Sequence, residues 1–403
     1  MKRIAAGLLA LGFSLGFAQS PLSAADKQYL RELASDTWRC IAELADAETG
    51  LPYDNSDRGE FTSVSNIGIY LSSVAAAEKL KLIDHAEAVA RLRMTLGSVE
   101  KLKTWRGFQQ SWNSVKTLQP ATHDTAISIL DTGNLAAGLI HIANTVPEVA
   151  ARSRKLLKAL DWGWFYDKSK DALFGGFDTK TGIMNPQWHL SALGTDAELA
   201  LFLAVGHGSA PASIWSKLDR STEEKYGYRY LKPGWQGGGL FMQFISGIWL
   251  DNQGTILGES ARQFAAAQIE HAKRIGAPAW GWSACNNPAG GYIGWGAMKD
   301  EVVTPHASAL ALSLFPKEVV ANLRKLESLG VRSKDRGFYD SYDWKTKKAS
   351  RLFLVLDQGM LFLSLVNALE KDWVRAAFQR EPAVQNGRRE IEMFRDAKGG
   401  STP

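Results

Sequence analysis

Apolar residues recur at three- and four-residue spacing, with breaks, from residue 27 to about 376. That spacing keeps one stripe of a helix turned toward a core. Residues 84–101 show it best. Asp84 can cap, Glu87 completes a capping box, and Val89, Leu92, Leu96 and Val99 repeat along one face. The same pattern predicts helices over 27–46, 64–80, 124–145, 148–160, 189–205, 211–219, 240–250, 258–275, 302–313, 316–328 and 358–376, roughly twelve in all. Period-2 stretches are few, and 174–177 and 337–342 read as short hairpin pieces within loops. Residues 197–205 are apolar nearly all round, which places that helix inside, covered by others. Alternating inner and outer helices predict an all-α fold, an (α/α)6 barrel of six helical hairpins in a toroid, with long Gly/Trp-rich loops at one rim. No linker interrupts the series, so 19–378 reads as one domain and 379–403 as a polar, flexible tail.

The start of the chain departs from this pattern. Met1-Lys2-Arg3, an apolar run to Phe17 and the small residues around Gly16 and Ala18 read as a signal peptide over 1–18. The run is too short and Gly-rich for a comfortable membrane span. The expectation is an exported protein, periplasmic or secreted, without a membrane span after signal removal. The formal charge of +5 includes Lys2 and Arg3, and the remaining excess is scattered. With no basic stripe, nucleic acid is not the expected partner, while an anionic polysaccharide stays open. Export would permit a bond between Cys40 and Cys285, although spacing cannot say whether they meet.

Fourteen tryptophans add a second signal, because most fall in Gly-rich breaks between helices. Trp162 precedes a Phe-Gly-Gly-Phe run, Trp235 adjoins three glycines, and Trp280, Trp282 and Trp295 bracket further glycines. An indole offers a flat apolar plate with one polar handle, and sugar rings present apolar C–H faces. Such loops suit a polysaccharide or oligosaccharide cleft. Trp162, Trp235, Trp280, Trp282, Tyr292 and Trp295 are the candidate platforms, with Gln358 and Asp300 as polar contacts. The competing reading has these rings sealing a helical core.

Candidate chemistry is carboxylate chemistry. Asp131 falls within a predicted helix among Ile127, Ile129, Leu130 and Leu135, and Asp196 shares a stripe with Leu193, Ala200 and Leu203. An interior aspartate costs several kcal/mol unless paired or hydrogen-bonded, so each invites a role. Glu198, about 200° round the same helix, rivals Asp196. Asp340 sits between aromatics on a loop, and Asp357 reads first as a helix N-cap. No metal site or cofactor is expected: the histidines show no HExxH and no paired ligand spacing. Asp54-Asn-Ser-Asp-Arg-Gly fails as a calcium loop because Arg58 takes a ligand position and Ser65 the twelfth.

These pieces together resemble the glycoamylase-like group that includes the endo-β-1,2-glucanases of glycoside hydrolase family 144, and a related bacterial domain of unknown function. The likeness runs from about Trp38 to Leu369 through Thr49-Gly50-Leu51-Pro52, Leu130-Asp131-Thr132, the helix from Asp196, Trp280-Gly281-Trp282, Thr304-Pro305, Gly337-Phe338 and Asp357-Gln358-Gly359. The resemblance implies an (α/α)6 barrel and inverting hydrolysis of a glucan. It matches Asp131 to an acid of the cleft, and Asp357 and Asp340 to acids near the chain's end. Asp196 stands where the group usually has glutamate, Glu301 where it tends to glycine, and Gln243 where it often has histidine.

The hydrolase expectation makes Asp196 the protonated acid, Asp357 or Asp340 the base on water, and Asp131 a hydroxyl-binding or tuning group. The alternatives are a non-catalytic glycan-binding or exopolysaccharide-export accessory, and a polysaccharide lyase using Tyr292, Asn286, His306 and Arg262.

Overall fold

The protein is described by a computed structural model over residues 22–234, 238–293, 298 and 301–397. The described residues form α1 (Ala24–Glu43), α2 (Val64–Lys79), α3 (His85–Val99), α4 (Ile129–Thr145) and α5 (Pro147–Ala159). There follow α6 (Glu198–Gly206), α7 (Ser213–Ser216), α8 (Leu240–Phe244), α9 (Ile256–Ile275) and α10 (Pro305–Leu310). The last third adds α11 (Pro316–Ser328), α12 (Val355–Leu369), α13 (Trp373–Gln379), α14 (Pro382–Glu390) and α15 (Glu392–Arg395).

From α2 to α12, every second helix is internal. α2 touches α4 and α12, α4 touches α6, and α10 touches α8 and α12. Ser246, just after α8, donates to Glu198 at the start of α6 and links those two. Around them α1 packs on α12, α3 on α2, α5 on α4, α9 on α8, α11 on α10 and α14 on α6. The all-apolar helix at 197–205 is internal as expected, with every residue of α6 buried. α2 and α4 approach until their backbones touch. A Cβ added to Gly138 would lie 2.1 Å from the Gly68 carbonyl oxygen, so only glycine fits there.

Small sheets set the entry of three inner helices. Phe61–Ser63 pairs antiparallel with Trp112–Ser114 and runs into α2. Ala126–Ser128 pairs with Gly176–Asp178 and runs into α4. Val302–Val303 pairs with Ser341–Asp343 ahead of α10. The strand before α4 shortens it relative to the periodicity, to begin at Ile129 rather than 124, while bends and turns delay α6 to Glu198 rather than 189. The approach segments are extended because their backbone bonds go across the ladder. Asp84 caps α3, accepting from the Glu87 N–H at 2.8 Å, while the Glu87 carboxylate pairs with Arg91 instead of closing the box.

The C-terminal segment corrects the expectation of a flexible tail from 379. α14 lies on α6, where Asn386 donates to the Gly206 carbonyl at 2.8 Å and the Phe202 ring fills the space beside Gly387. Ala383, Val384, Gly387, Ile391 and Phe394 form a buried stripe at helical spacing, which the surrounding charges disguise. No disulfide joins Cys40 and Cys285, and both are buried. Among the described residues no helix is long and apolar enough to cross a membrane.

Candidate active site

The first turns of inner helices gather the acids. Ser128 caps α4, its Oγ accepting the Asp131 N–H at 3.3 Å, which puts Asp131 in the first turn rather than mid-helix. The positive end of the helix favours a carboxylate there. Ser65 Oγ, in the first turn of α2, donates to Asp131 Oδ1 at 2.7 Å. Burial raises the Asp131 pKa against the pull of Ser65, Ser111 and Ser128.

Asp196 stands in the turn before α6, not on its stripe. Gly194 opens that turn at φ 82°, pressed against Leu231. Burial first, and then the charge of Asp131, push the Asp196 pKa up to about 7. A carboxyl of this kind still holds a proton near neutrality. Glu198, the rival, is 1 % exposed and faces the core. It accepts from Ser246 Oγ and from the Gly194 N–H at 3.2 Å, and burial carries its pKa to about 8.

The second pair is Asp340 and Asp357. Asp340 is fixed through its backbone to the Leu352 carbonyl, and its Oδ2 accepts the Asn286 N–H at 2.5 Å. Asp357 is the third residue of α12, and no side chain caps that helix, so the N-cap reading is corrected. Its carboxyl instead meets Asp340 and stands 3.3 Å from His306 Nδ1. Burial raises both pKa values; at Asp357 the charge of Asp340 adds to the rise, whereas at Asp340 the hydrogen bond from Asp357 opposes it, so the pair holds a proton between them, on Asp357. His306 is held neutral by burial, its pKa pushed down to about 3.

One pair of neighbours joins the two groups. Ser65 donates to Asp131, and Asn66 Nδ2 donates to Asp54 Oδ1 at 2.9 Å. Asp54 in turn is close enough for its charge to raise the pKa of Asp340 and of Asp357. Asp131, Asp196, Asp340 and Asp357 therefore lie round one end of the helical ring. Asp54 and Ser65 have no signal in the sequence beyond a calcium-loop pattern that fails, and His306 none beyond the lyase grouping.

The tryptophans divide differently. Trp162 is 1 % and Trp282 0 % exposed, and Trp280 is also buried, which corrects their assignment as sugar platforms. Trp162 packs edge-on to Phe108 at 5.6 Å, and the Trp282 backbone is clamped by Gln268. They plug the space beneath the loops, as the core reading has it. Gln358 is likewise buried, and its amide donates to the Phe338 carbonyl two residues before Asp340. Tyr292 is 60 % exposed, and the charges of Asp357, Asp340 and Asp54 help to raise its pKa, after crowding by protein around the phenol. Trp235, Trp295 and Asp300 lie outside the described residues.

Trp188 is an aromatic that the pattern of breaks misses. It is 38 % exposed, and its indole lies on Gly175 and Gly176, where an added Cβ would come within 2.3 and 2.8 Å of the ring. The Gly175 carbonyl receives the Ile129 N–H, so this plate is anchored at the start of the Asp131 helix. The Gly-Gly pair is the available signal. Gln243 is scaffold, bonded to Ser260 and to the Leu231 carbonyl. Glu301 pairs with Lys345 at 3.1 Å. Arg262 sits on outer helix α9 and lines a separate cavity of about 690 Å³ with Arg375, so the lyase grouping does not assemble.

Comparison with known proteins follows the same layout. Residues 192–382 match the family described as "Putative glucoamylase", and residues 32–189 match a protein family of unknown function (DUF3131). A "putative glucoamylase" from Bacteroides fragilis superimposes with a TM-score of 0.83 at 20 % identity, covering 93 % of this chain and 98 % of that one. The endo-β-1,2-glucanase from Chitinophaga pinensis, solved with sophorotriose and glucose, gives 0.83 at 17 % identity, covering 92 % and 98 %. At these identities the likeness is one of fold. A cyclic β-(1,2)-glucan synthase of Rhizobium meliloti is 20 % identical over 518 residues, 88 % of this chain, and the match spans 18 % of that protein's length.

Proposed function

We infer that the protein is an exported glycoside hydrolase that cleaves a bacterial glucan, with β-1,2-glucan as its first candidate substrate, on an (α/α)6 barrel. The observation that carries this reading is the convergence of Asp131, Asp196 and the Asp340–Asp357 pair on one end of the helical ring, bridged by Ser65 and Asn66. The solved fold relatives support the substrate class, and the basic, apolar beginning of the sequence supports export.

The chemistry needs a carboxyl that is protonated at working pH and a second that is not. Asp196, with its pKa near 7, supplies the proton to the glycosidic oxygen as the bond to the anomeric carbon breaks. The Asp340–Asp357 pair shares one proton and keeps one negative charge, which takes a proton from water as that water attacks the opposite face. Bond breaking and bond making on opposite faces invert the anomeric centre, and the two acid groups then stand roughly 6.5–9.5 Å apart. Asp131 keeps Asp196 protonated and is placed to accept from sugar hydroxyls.

The test is a polysaccharide panel, β-1,2-glucan included, read by reducing-end release and by the anomer first formed. Release by the wild type and its loss in Asp196→Asn are expected. Equal release by both proteins removes Asp196 from the mechanism, and binding without turnover on every substrate makes the protein a glycan-binding accessory.

A further inference from the structure

One grouping at this end of the ring holds more than the hydrolase reading uses. His306, Asp340 and Asp357 come from three separate segments and place one ligand atom each within 4.8 Å of the others. Their exposures are 2, 1 and 5 %, so little of these side chains meets bulk solvent. Asp340 Oδ1 and Asp357 Oδ2 have no hydrogen-bond partner. Polar atoms left so in a protein interior are expensive. Without a metal, one shared proton answers the facing carboxyls and the imidazole N–H can answer Asp357 Oδ2. A cation answers all three atoms together.

We propose that His306, Asp340 and Asp357 bind one first-row divalent cation, of the Zn2+ class. An imidazole nitrogen joined to two carboxylates suits such ions better than Ca2+ or Mg2+, which prefer oxygen alone. Zinc bonds of about 2.0–2.2 Å set tetrahedral ligand atoms roughly 3.3–3.6 Å apart. His306 Nδ1 and Asp357 Oδ2 already stand at 3.3 Å, and all three ligand atoms lie within 4.8 Å of one another. The backbone keeps the ligands in place. Asp340 is pinned by Leu352 and Asn286, and Asp357 rides on the first turn of α12; Thr304 Oγ1, 3.1 Å from the same His306 Nδ1, turns aside when that nitrogen takes the cation. Three protein ligands leave a fourth position for water. A cation here occupies the carboxylate that would activate water, so filling the site suppresses hydrolysis. That last consequence, unlike the binding, rests on the hydrolase reading.

The experiment is calorimetric titration of the metal-stripped, full mature chain with ZnCl2, with Co2+ in parallel read by its visible absorption. One Zn2+ per chain is expected at micromolar affinity or tighter. His306→Gln and Asp340→Asn should each weaken it at least tenfold and abolish the cobalt bands while circular dichroism stays unchanged. Should His306→Gln fail to fold, Asp340→Asn carries the comparison. No saturable binding, or equal affinity in the variants, overturns the site. Hydrolysis in chelator without zinc binding refutes this proposal and leaves the hydrolase reading. Zinc binding without hydrolysis of any glucan does the reverse.

Discussion

Asp131, in the first turn of α4, sets its negative charge beside Asp196, in the turn that leads into α6, and so helps to hold a proton on the second aspartate. The pairing predicts a pH profile. A general acid works only while protonated, so the rate should fall as pH rises through about 7. Asp131→Asn removes the charge and should move that limb to lower pH, although burial keeps it above the ordinary aspartate range. A limb that stays in place in Asp131→Asn would break the link.

Asp196→Asn should lower kcat by roughly 10²–10⁴, the usual worth of a positioned acid, with little change in the melting temperature. Asp196→Glu restores the reach of the longer acid found in the resembling group. It should retain measurable turnover where the amide does not.

Glu198 gives a stability test. Its pKa is raised on folding, so the native state binds more protons than the unfolded chain, and its contribution falls as pH rises from about 4.5 to about 8. Glu198→Gln keeps the contact with Ser246 and removes the charge. It should stabilise the protein by up to about 4 kcal/mol at pH 8 and by almost nothing at pH 4, measured by denaturant melts. A gain equal at both pH values would show that ionisation of Glu198 is not its source.

Two tryptophans should behave oppositely. Trp162→Ala empties a fully buried site and should cost about 3–5 kcal/mol of stability. Trp188→Ala removes a partly exposed ring and should raise KM for a long glucan, with a smaller loss of stability than Trp162→Ala. Loss of stability in Trp188→Ala without a change in KM would return that ring to the scaffold.

Gly138→Ala tests the contact beneath the site. The added methyl would overlap the Gly68 carbonyl, so α2 and α4 must separate. A stability loss of about 1–3 kcal/mol, or more, is expected, together with a fall in activity, because Ser65 and Asp131 ride on those two helices.

The helices with sustained apolar periods are legible in the sequence, α2, α3, α5, α9 and α11 within a few residues. So are the four acids as candidates, because an aspartate in apolar company is conspicuous in any order of reading. Helix starts are less so, since Ile127 and Val303 serve strands as readily as helices. Asp357 resembles a cap because position alone cannot show where a carboxyl points. His306 and Asp54 gain meaning only when segments some 250 residues apart meet at one place. The buried tryptophans mislead for a related reason: a glycine beside an indole can open a loop or let the ring sink below it, and Trp282 takes the second course.

The seat of α14 on α6 ties the far end of the polypeptide to the segment that presents Asp196. Gly206 and Phe202, which receive α14, belong to the helix that Asp196 introduces. Clipping the chain after Gln379 would therefore uncover an oily flank on that helix and let its leading turn wander. Trimming intended only to tidy the carboxyl terminus would then blunt turnover at a distance, with Asp131, Asp196, Asp340 and Asp357 all still present.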